Sequence, residues 1–168
     1  MSRAMMSVHE RRLNRSGEKP TNRRIDMSST AAGTRVSEVA TVMIPVSDQD
    51  EAIAFYTEKL GFEKRTDVSM GESMRWVEVA PAGATTTVAI VPPREGEATG
   101  IETRVAFGTD DVDADHASLK AQGVDVDQEV SRMGDPVPPM FFFRDQDGNR
   151  LLIVQRSASC ARRRRAHR

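Results

Sequence analysis

The chain has 168 residues, of which 38% are apolar, a formal net charge of −1 and a single cysteine. This length and apolar content suit one globular domain, and no apolar run reaches the roughly 18–20 residues that a membrane-spanning helix needs. Because the lone Cys160 excludes an intrachain disulfide and the N-terminus lacks the apolar block of a secretory signal, we expect a cytoplasmic protein.

The small net charge hides an uneven distribution along the chain. Residues 1–24 hold seven basic and two acidic residues, and residues 162–168 hold five arginines. Between residues 25 and 161 there are 23 acidic and 12 basic residues, which disfavours nucleic-acid binding by a folded domain there. We expect residues 1–36 to be a disordered basic extension and residues 158–168 a disordered arginine-rich tail, the parts through which nucleic acid would have to bind.

The first patterned segment, residues 39–46, alternates so that Thr41 and Met43 share one face of a predicted strand. A helix is predicted over 48–61, because its apolar residues follow helical spacing, Ser47 or Asp48 can cap it, and a glycine ends it. Three short strands are predicted next, over 63–68, 74–79 and 85–91.

The same order of elements then repeats. A strand is predicted over 103–109, a helix over 112–122 and strands over 124–130, 140–144 and 150–155. The helix is expected to turn Ala114, Ala117 and Leu119 inward, and the Asp-Gly pair before the last strand is typical of a hairpin. The repeat predicts an α+β domain over 37–157, built from two βαβββ modules (37–93 and 100–157) that form a curved mixed sheet around a concave pocket.

Two segments carry a family resemblance. Residues 45–61 read PVSDxxxAxAFYxxxLG, and residues 143–149 read FRDQDGN before an apolar strand. Both resemble the glyoxalase/bleomycin resistance protein/dioxygenase superfamily, also called the vicinal-oxygen-chelate (VOC) superfamily. The resemblance implies the glyoxalase fold and a homodimer, but no single chemistry, since members range from glyoxalase I to bleomycin-binding proteins.

The resemblance also implies where the metal enzymes of the family carry their His, Glu or Gln ligands. Those positions fall here on Thr41, Ala89, Arg104 and Leu152. These four side chains are not the donors that a divalent cation needs, so neither a metal nor another cofactor is predicted. Of the three histidines, His9 and His167 fall in the two tails, and His116 is expected on the surface of the second helix.

Strand alternation places ten residues around the predicted ligand pocket. They are Thr41, Met43, Trp76, Glu78, Thr87, Ala89, Arg104, Met140, Phe142 and Leu152. Arg104 can bind a ligand's carboxylate or phosphate, or it can pair with Glu78 or Glu102. Trp76 can stack on a planar ligand or pack in a core or a dimer interface. Glu78 is the candidate general base, with a salt bridge as its other possible role.

The sequence therefore favours a metal-independent, homodimeric protein that binds a small hydrophobic or anionic molecule. The alternative is a metal-dependent lyase, isomerase or dioxygenase of the same superfamily, similar to lactoylglutathione lyase. Whether the protein is an enzyme stays open at this point. A third hypothesis, association with nucleic acid, depends only on the arginine-rich tails.

Overall fold

A computed structural model of the protein describes residues 34–71 and 74–157. The chain divides into two units, Met1–Val36 and Ser37–Arg168, and every element named below belongs to the second. The predictions for the arginine-rich tail, for Cys160, for the two terminal histidines and for all but residues 34–36 of the basic extension fall outside the described residues.

Module one folds as a four-stranded sheet, sheet A, with one helix. Its elements are β1 (Thr41–Pro45), α1 (Gln49–Ala54) with a π-helical continuation (Phe55–Lys59), β2 (Glu63–Ser69), β3 (Arg75–Ala80) and β4 (Thr87–Val91). The strand order is β1-β4-β3-β2, with β1 parallel to β4 and the other pairs antiparallel. The predicted strands of this module are confirmed, with ends that differ by at most two residues.

Helix α1 begins and ends as its sequence predicts. Of the two possible caps, Asp48 caps the helix: its carboxylate accepts from the backbone N–H of Asp50 at 2.7 Å and of Glu51 at 3.1 Å. Gly61 follows the helix in the left-handed conformation, with φ of +66°. The π-helical last turn is not predicted, and it carries Tyr56, which is fully buried.

Module two contains a three-stranded sheet, sheet B. Its elements are β5 (Glu102–Thr109), α2 (Val112–Ala121), β6 (Met140–Arg144) and β7 (Arg150–Gln155). The strand order is β5-β7-β6, with β5 parallel and β6 antiparallel to β7. The two sheets are separate, so the mixed sheet of the prediction is divided between the modules.

The predicted strand over 124–130 is wrong. This segment makes one isolated bridge to β6 instead, at Val126–Phe143, and the residue that follows it makes another, at Ser131–Met140. The reason lies in Asp127, whose carboxylate accepts the backbone N–H of Phe142 at 3.1 Å. A side chain thereby takes a donor that a regular strand ladder would pair with a backbone carbonyl.

The core-facing side of helix α2 agrees with the prediction only in part. Of the three residues predicted to point inward, Leu119 is buried as expected, whereas Ala114 and Ala117 are exposed and Val112 is buried in their place. Val112 and Leu119 are seven residues apart, two turns along one helix face, so the core-facing stripe runs through these two larger side chains.

His116 lies on the core side of α2 and is not the surface residue that was expected. Its Nε2 is 2.7 Å from the carbonyl oxygen of Asp127. Its ring meets Phe141 edge-on, with centroids 4.9 Å apart. Both contacts fix the segment after α2 against sheet B, which gives His116 a packing role.

One core joins the inner faces of both sheets to the helices. It includes Ile44, Val77, Val79, Val88 and Ile90 from sheet A, and Phe141, Phe143, Leu151 and Ile153 from sheet B. The opposite face of each sheet is turned away from this core, and we call the two surfaces the open faces. Paired residues such as Met43 and Ala89, or Phe142 and Leu152, share an open face because directly opposed side chains point to the same side of a sheet.

Candidate functional site

The ten predicted pocket residues form two groups in the structure. The open face of sheet A carries Thr41, Met43, Trp76, Glu78, Thr87 and Ala89. Sheet B carries Met140, Phe142 and Leu152 on its open face and Arg104 in a bulge of β5. Within residues 34–71 and 74–157, no hydrogen bond, ion pair or ring contact joins a side chain of one group to the other. In a single chain the predicted pocket residues therefore lie in two separate groups, one on each sheet, and we call these groups the half-sites.

The polar groups on the open face of sheet A bond to one another. Thr87 donates its hydroxyl to Glu78 Oε1 at 2.9 Å, and the Thr41 hydroxyl donates to the carbonyl oxygen of Thr87 at 3.3 Å. Of the two roles predicted for Glu78, the salt bridge is not formed within the described part of the chain. Its carboxylate instead accepts a hydrogen bond from a neutral hydroxyl.

One end of this face opens into a hollow of about 430 Å³, a volume in the range of small-molecule sites. It is lined by Met43, Pro45, Met74, Arg75, Trp76, Val91, Pro92, Arg94 and Glu97. Met43 and Met74 are each 53% exposed. Of these residues, only Met43 and Trp76 were predicted from the sequence. Arg94 and Glu97 lie beyond the strand ends, where the period of two no longer applies. Met74 begins the predicted strand 74–79 in phase with Trp76, so alternation could have found it.

Arg75 forms a wall of the hollow and is fully engaged in ion pairs. Its guanidinium is 2.8 Å from Asp67 and 2.8 Å from Asp50, and Lys64 lies 2.8 Å from Asp67. Hydrogen bonds from Arg75, and then from Lys64, hold the pKa of Asp67 well below its ordinary value. Hydrogen bonds to Asp67 and then Asp50 raise the pKa of Arg75, so its charge is already paired within the chain.

The half-site on sheet B is a row of apolar side chains beside one arginine, Arg150, which is paired within the chain. Leu152 lies between Ala106 and Phe142 across the three strands. The Arg150 guanidinium covers the Phe142 ring, with its central carbon 3.4 Å from the ring centroid. Arg150 also pairs with Glu102 at 2.6 Å.

Arg104 occupies an unusual backbone position in β5. Glu102 pairs with Arg150 and Ala106 with Leu152, so three residues of β5 stand opposite one residue of β7. Arg104 is in this bulge with φ of +57°, the one positive value at a non-glycine position among the described residues. Its side chain is exposed. Neither predicted pairing forms, since Thr87 donates to Glu78 and Arg150 pairs with Glu102.

The motif at 143–149 has a role that the sequence analysis missed. Tyr56, Asp145 and Asn149, which we call the buried node, join the modules: the Tyr56 hydroxyl donates to Asp145 Oδ2 at 3.1 Å, and Asn149 Nδ2 donates to the Pro45 carbonyl at 2.9 Å. Asn149 Oδ1 accepts two backbone N–H groups of the segment before β5. Burial raises the pKa of Asp145, and burial followed by the charge of Asp145 raises the pKa of Tyr56.

The four family metal positions do not fit a divalent cation. Ala89 and Leu152 offer no side-chain donor atom, Arg104 is itself a cation, and the Thr41 hydroxyl is bonded to a backbone carbonyl. Within the residues that the structure describes, no three His, Cys, Asp or Glu side chains are grouped so that they could hold a metal ion.

A second cleft of about 430 Å³ lies on the helical side, between the end of α1 and helix α2. Phe62, Phe107 and Leu119 are among its lining residues, and Lys59 crosses it to bond the Gln122 carbonyl at 3.3 Å. None of the ten predicted pocket residues lines it.

Among the described helices, none has the length and apolar character to cross a membrane. The cytoplasmic location and the homodimer stay predictions.

Comparison with known proteins agrees with the fold and with the residues that carried the resemblance. Residues 38–153 match the model of the Glyoxalase/Bleomycin resistance protein/Dioxygenase superfamily. TnmS3, an antibiotic-binding protein from Streptomyces sp. CB03234, is 36% identical, with a TM-score of 0.64 over 74% of this chain and 100% of that one. A superfamily member from Sphaerobacter thermophilus is 34% identical, with a TM-score of 0.68 over 72% and 98% of the two chains. YetH of Bacillus subtilis is 33% identical over 71% of this chain and 99% of its own length. The chain belongs to the glyoxalase/bleomycin resistance protein/dioxygenase superfamily.

Proposed function

We propose that this protein is a metal-independent, homodimeric binding protein for a small hydrophobic or anionic molecule. In the dimer, the open face of sheet A of one copy covers the open face of sheet B of the other, and the ligand lies between them. The observation that carries the proposal is the division of the ten pocket residues into two half-sites, both turned away from the core of their own chain.

Exposed apolar side chains support the pairing of two copies. Met43 and Met74 are each 53% exposed, and Val68 on the same face is 47% exposed. Contiguous apolar surface of this kind marks an interaction site in a folded protein. A two-fold axis would bring sheet A of each copy onto sheet B of the other, which makes two equal pockets.

The chemistry of the two faces supports binding without a metal. The four family metal positions offer no suitable donor set, whereas the hollow beside Trp76 has the volume and apolar lining of an organic-ligand site. TnmS3, which is 36% identical to this chain, is an antibiotic-binding protein. We therefore propose an organic molecule of comparable kind as the ligand.

Native mass spectrometry of the full chain tests the dimer and the metal together. We expect a dimer mass without stoichiometric divalent metal. The substitution Met43→Glu places a charge on the open face of sheet A. Because the dimer would bury that charge, we expect this variant to be monomeric. The matched control is Ala117→Glu, which adds the same charge at an exposed position of α2 and should leave the dimer intact.

Two results would overturn the proposal. One is a dimer that survives Met43→Glu unchanged. The other is a bound divalent metal whose removal by a chelator abolishes lactoylglutathione formation from methylglyoxal and glutathione. That second result would instead establish the metal-dependent lyase.

A further inference from the structure

We infer that the ligand is an aromatic organic acid. In the proposed dimer its ring lies in the hollow against Trp76 of one copy, and its acidic group binds Arg104 of the other copy. The inference rests on the proposed function and narrows it, because it names the class of molecule that the two half-sites select. Three features of the structure carry it: the arginines that lack partners, the backbone at Arg104 and the lining of the hollow.

Arginines in this domain are almost all paired with carboxylates. Between Ser37 and Ser157 there are eight arginines. Six form ion pairs: Arg65, Arg75, Arg132, Arg144, Arg150 and Arg156. Among the described residues from Ser37 to Ser157, only the guanidinium groups of Arg94 and Arg104 have no carboxylate within ion-pair distance. With 23 acidic residues between residues 25 and 161, these two are left available for an anion from outside the chain.

The backbone at Arg104 is held in a conformation that favours glycine. Thr103 Oγ1 accepts the N–H of Val105 at 3.2 Å and donates to the carbonyl oxygen of Arg150 at 2.9 Å, which ties the bulge to β7. Val105 packs against the core on the other side. An arginine in the left-handed region costs free energy that a glycine would not. Strain of this kind, maintained by its surroundings, is concentrated at sites of function.

The side chains that line the hollow favour a ligand with an aromatic ring. Trp76 offers an indole ring, and Met43 and Met74 offer exposed thioethers, both of which contact aromatic rings favourably. Arg94, the other unpaired arginine, is at its rim. Trp76 is also the one tryptophan of the chain, so its emission reports directly on the hollow.

The test compares two fluorescent probes with the same rings, the anionic anilinonaphthalenesulfonate and the neutral phenylnaphthylamine. Titrated into the full-length protein, both should accept energy from Trp76, and the sulfonate should bind more tightly. In Arg104→Gln we expect the Kd of the sulfonate to rise about tenfold, the effect of one charge-assisted hydrogen bond. The Kd of the neutral probe should change less than about twofold.

Two further variants separate binding from structure. Arg132→Gln removes the same charge from an exposed ion pair with Asp113 on α2 and should leave the ratio of the two Kd values unchanged. Arg104→Gly relieves the backbone and should raise Tm by about 2–4 °C, while losing sulfonate affinity as Arg104→Gln does. A merely structural arginine would lower Tm when replaced.

An unchanged Kd ratio in Arg104→Gln would overturn the inference, and so would a loss of charge selectivity in Arg94→Gln alone. If neither probe binds or accepts energy from Trp76, the proposed function itself fails. The two failures are therefore distinguishable in a single set of titrations.

Discussion

The polar side chains of the buried node are bonded to one another and to the backbone, whereas on the sheet B side Arg104 is left exposed. In the node, Asn149 is fully buried and Asp145 is 6% exposed, and each is bonded to groups from elsewhere in the chain. On the sheet B side, Arg104 is exposed and has no ion-pair partner among the described residues. The difference teaches that the family motif at 143–149 secures the modules to each other, while the ten predicted pocket residues lie outside both motifs. A signature of this kind reports the fold rather than the chemistry.

The node also shows how a buried carboxylate is tolerated. Burial disfavours the charged form of Asp145, but its oxygens accept from the Tyr56 hydroxyl, from Asn149 Nδ2 and from the backbone N–H groups of Asp147 and Asn149. These donors offset the desolvation of the charge. Removing any one of these donors should therefore lower the free energy of unfolding more than removing an exposed hydrogen bond does.

The largest effect is expected for Asn149→Ala, which tests whether the node holds the modules together. It leaves the Pro45 carbonyl, two backbone N–H groups and Asp145 short of partners, so we expect a loss of about 3–5 kcal/mol in the free energy of unfolding. Urea denaturation measures it. Gln128→Ala, at an exposed position, is the control and should change stability by less than about 0.5 kcal/mol. A loss below about 1 kcal/mol for Asn149→Ala would contradict the role of the node.

An intermediate, pH-dependent effect is expected for Tyr56→Phe. At pH 7 the hydroxyl donates to ionised Asp145, and its removal should cost about 1.5–3 kcal/mol. Burial raises the Asp145 pKa above the ordinary value of 3.8, and the hydrogen bond from Tyr56 lowers it in part. Without that bond, folded Asp145 binds its proton more tightly. The loss in the free energy of unfolding caused by Tyr56→Phe should therefore become smaller as pH falls through the Asp145 pKa.

Urea denaturation of the wild type and of Tyr56→Phe across acid to neutral pH measures this dependence. The comparison between variants cancels the opposite contribution of Asp67, whose lowered pKa is common to both proteins. A difference in stability that stays constant with pH would show that the hydroxyl does not serve the charged form of Asp145.

The smallest effect is expected on an open face. Met43→Ala, at a side chain that is 53% exposed, should change the stability of the isolated chain by less than about 0.5 kcal/mol. Its neighbour in β1, Ile44, is fully buried on the inner face, and Ile44→Ala should cost about 2–5 kcal/mol. Denaturation at low protein concentration compares the two. Similar losses would mean that the face of Met43 is packed within its own chain.

Much of the fold was predictable because its signals are local. The alternation in β1 placed Met43 and Ile44 on opposite faces, and their exposures agree. Asp48 and Gly61 bounded the first helix through capping groups that lie within a few residues of its ends. The second helix was predicted at the right place and with Leu119 correctly inward, but Ala114 and Ala117 were wrongly placed inward, because they are small enough to suit either side.

Taken alone, the sequence determined the repeat, the strand phase, the helix ends and the family, since each follows from periods or motifs of neighbouring residues. Only the tertiary structure decided that the pocket residues fall into two half-sites, that Asn149 reaches a carbonyl 104 residues away, and that Arg104 is left unpaired. Those outcomes depend on where every carboxylate, carbonyl and sheet lies in space. The pairing of groups far apart in the chain is set by packing around the shared core, which no local period encodes.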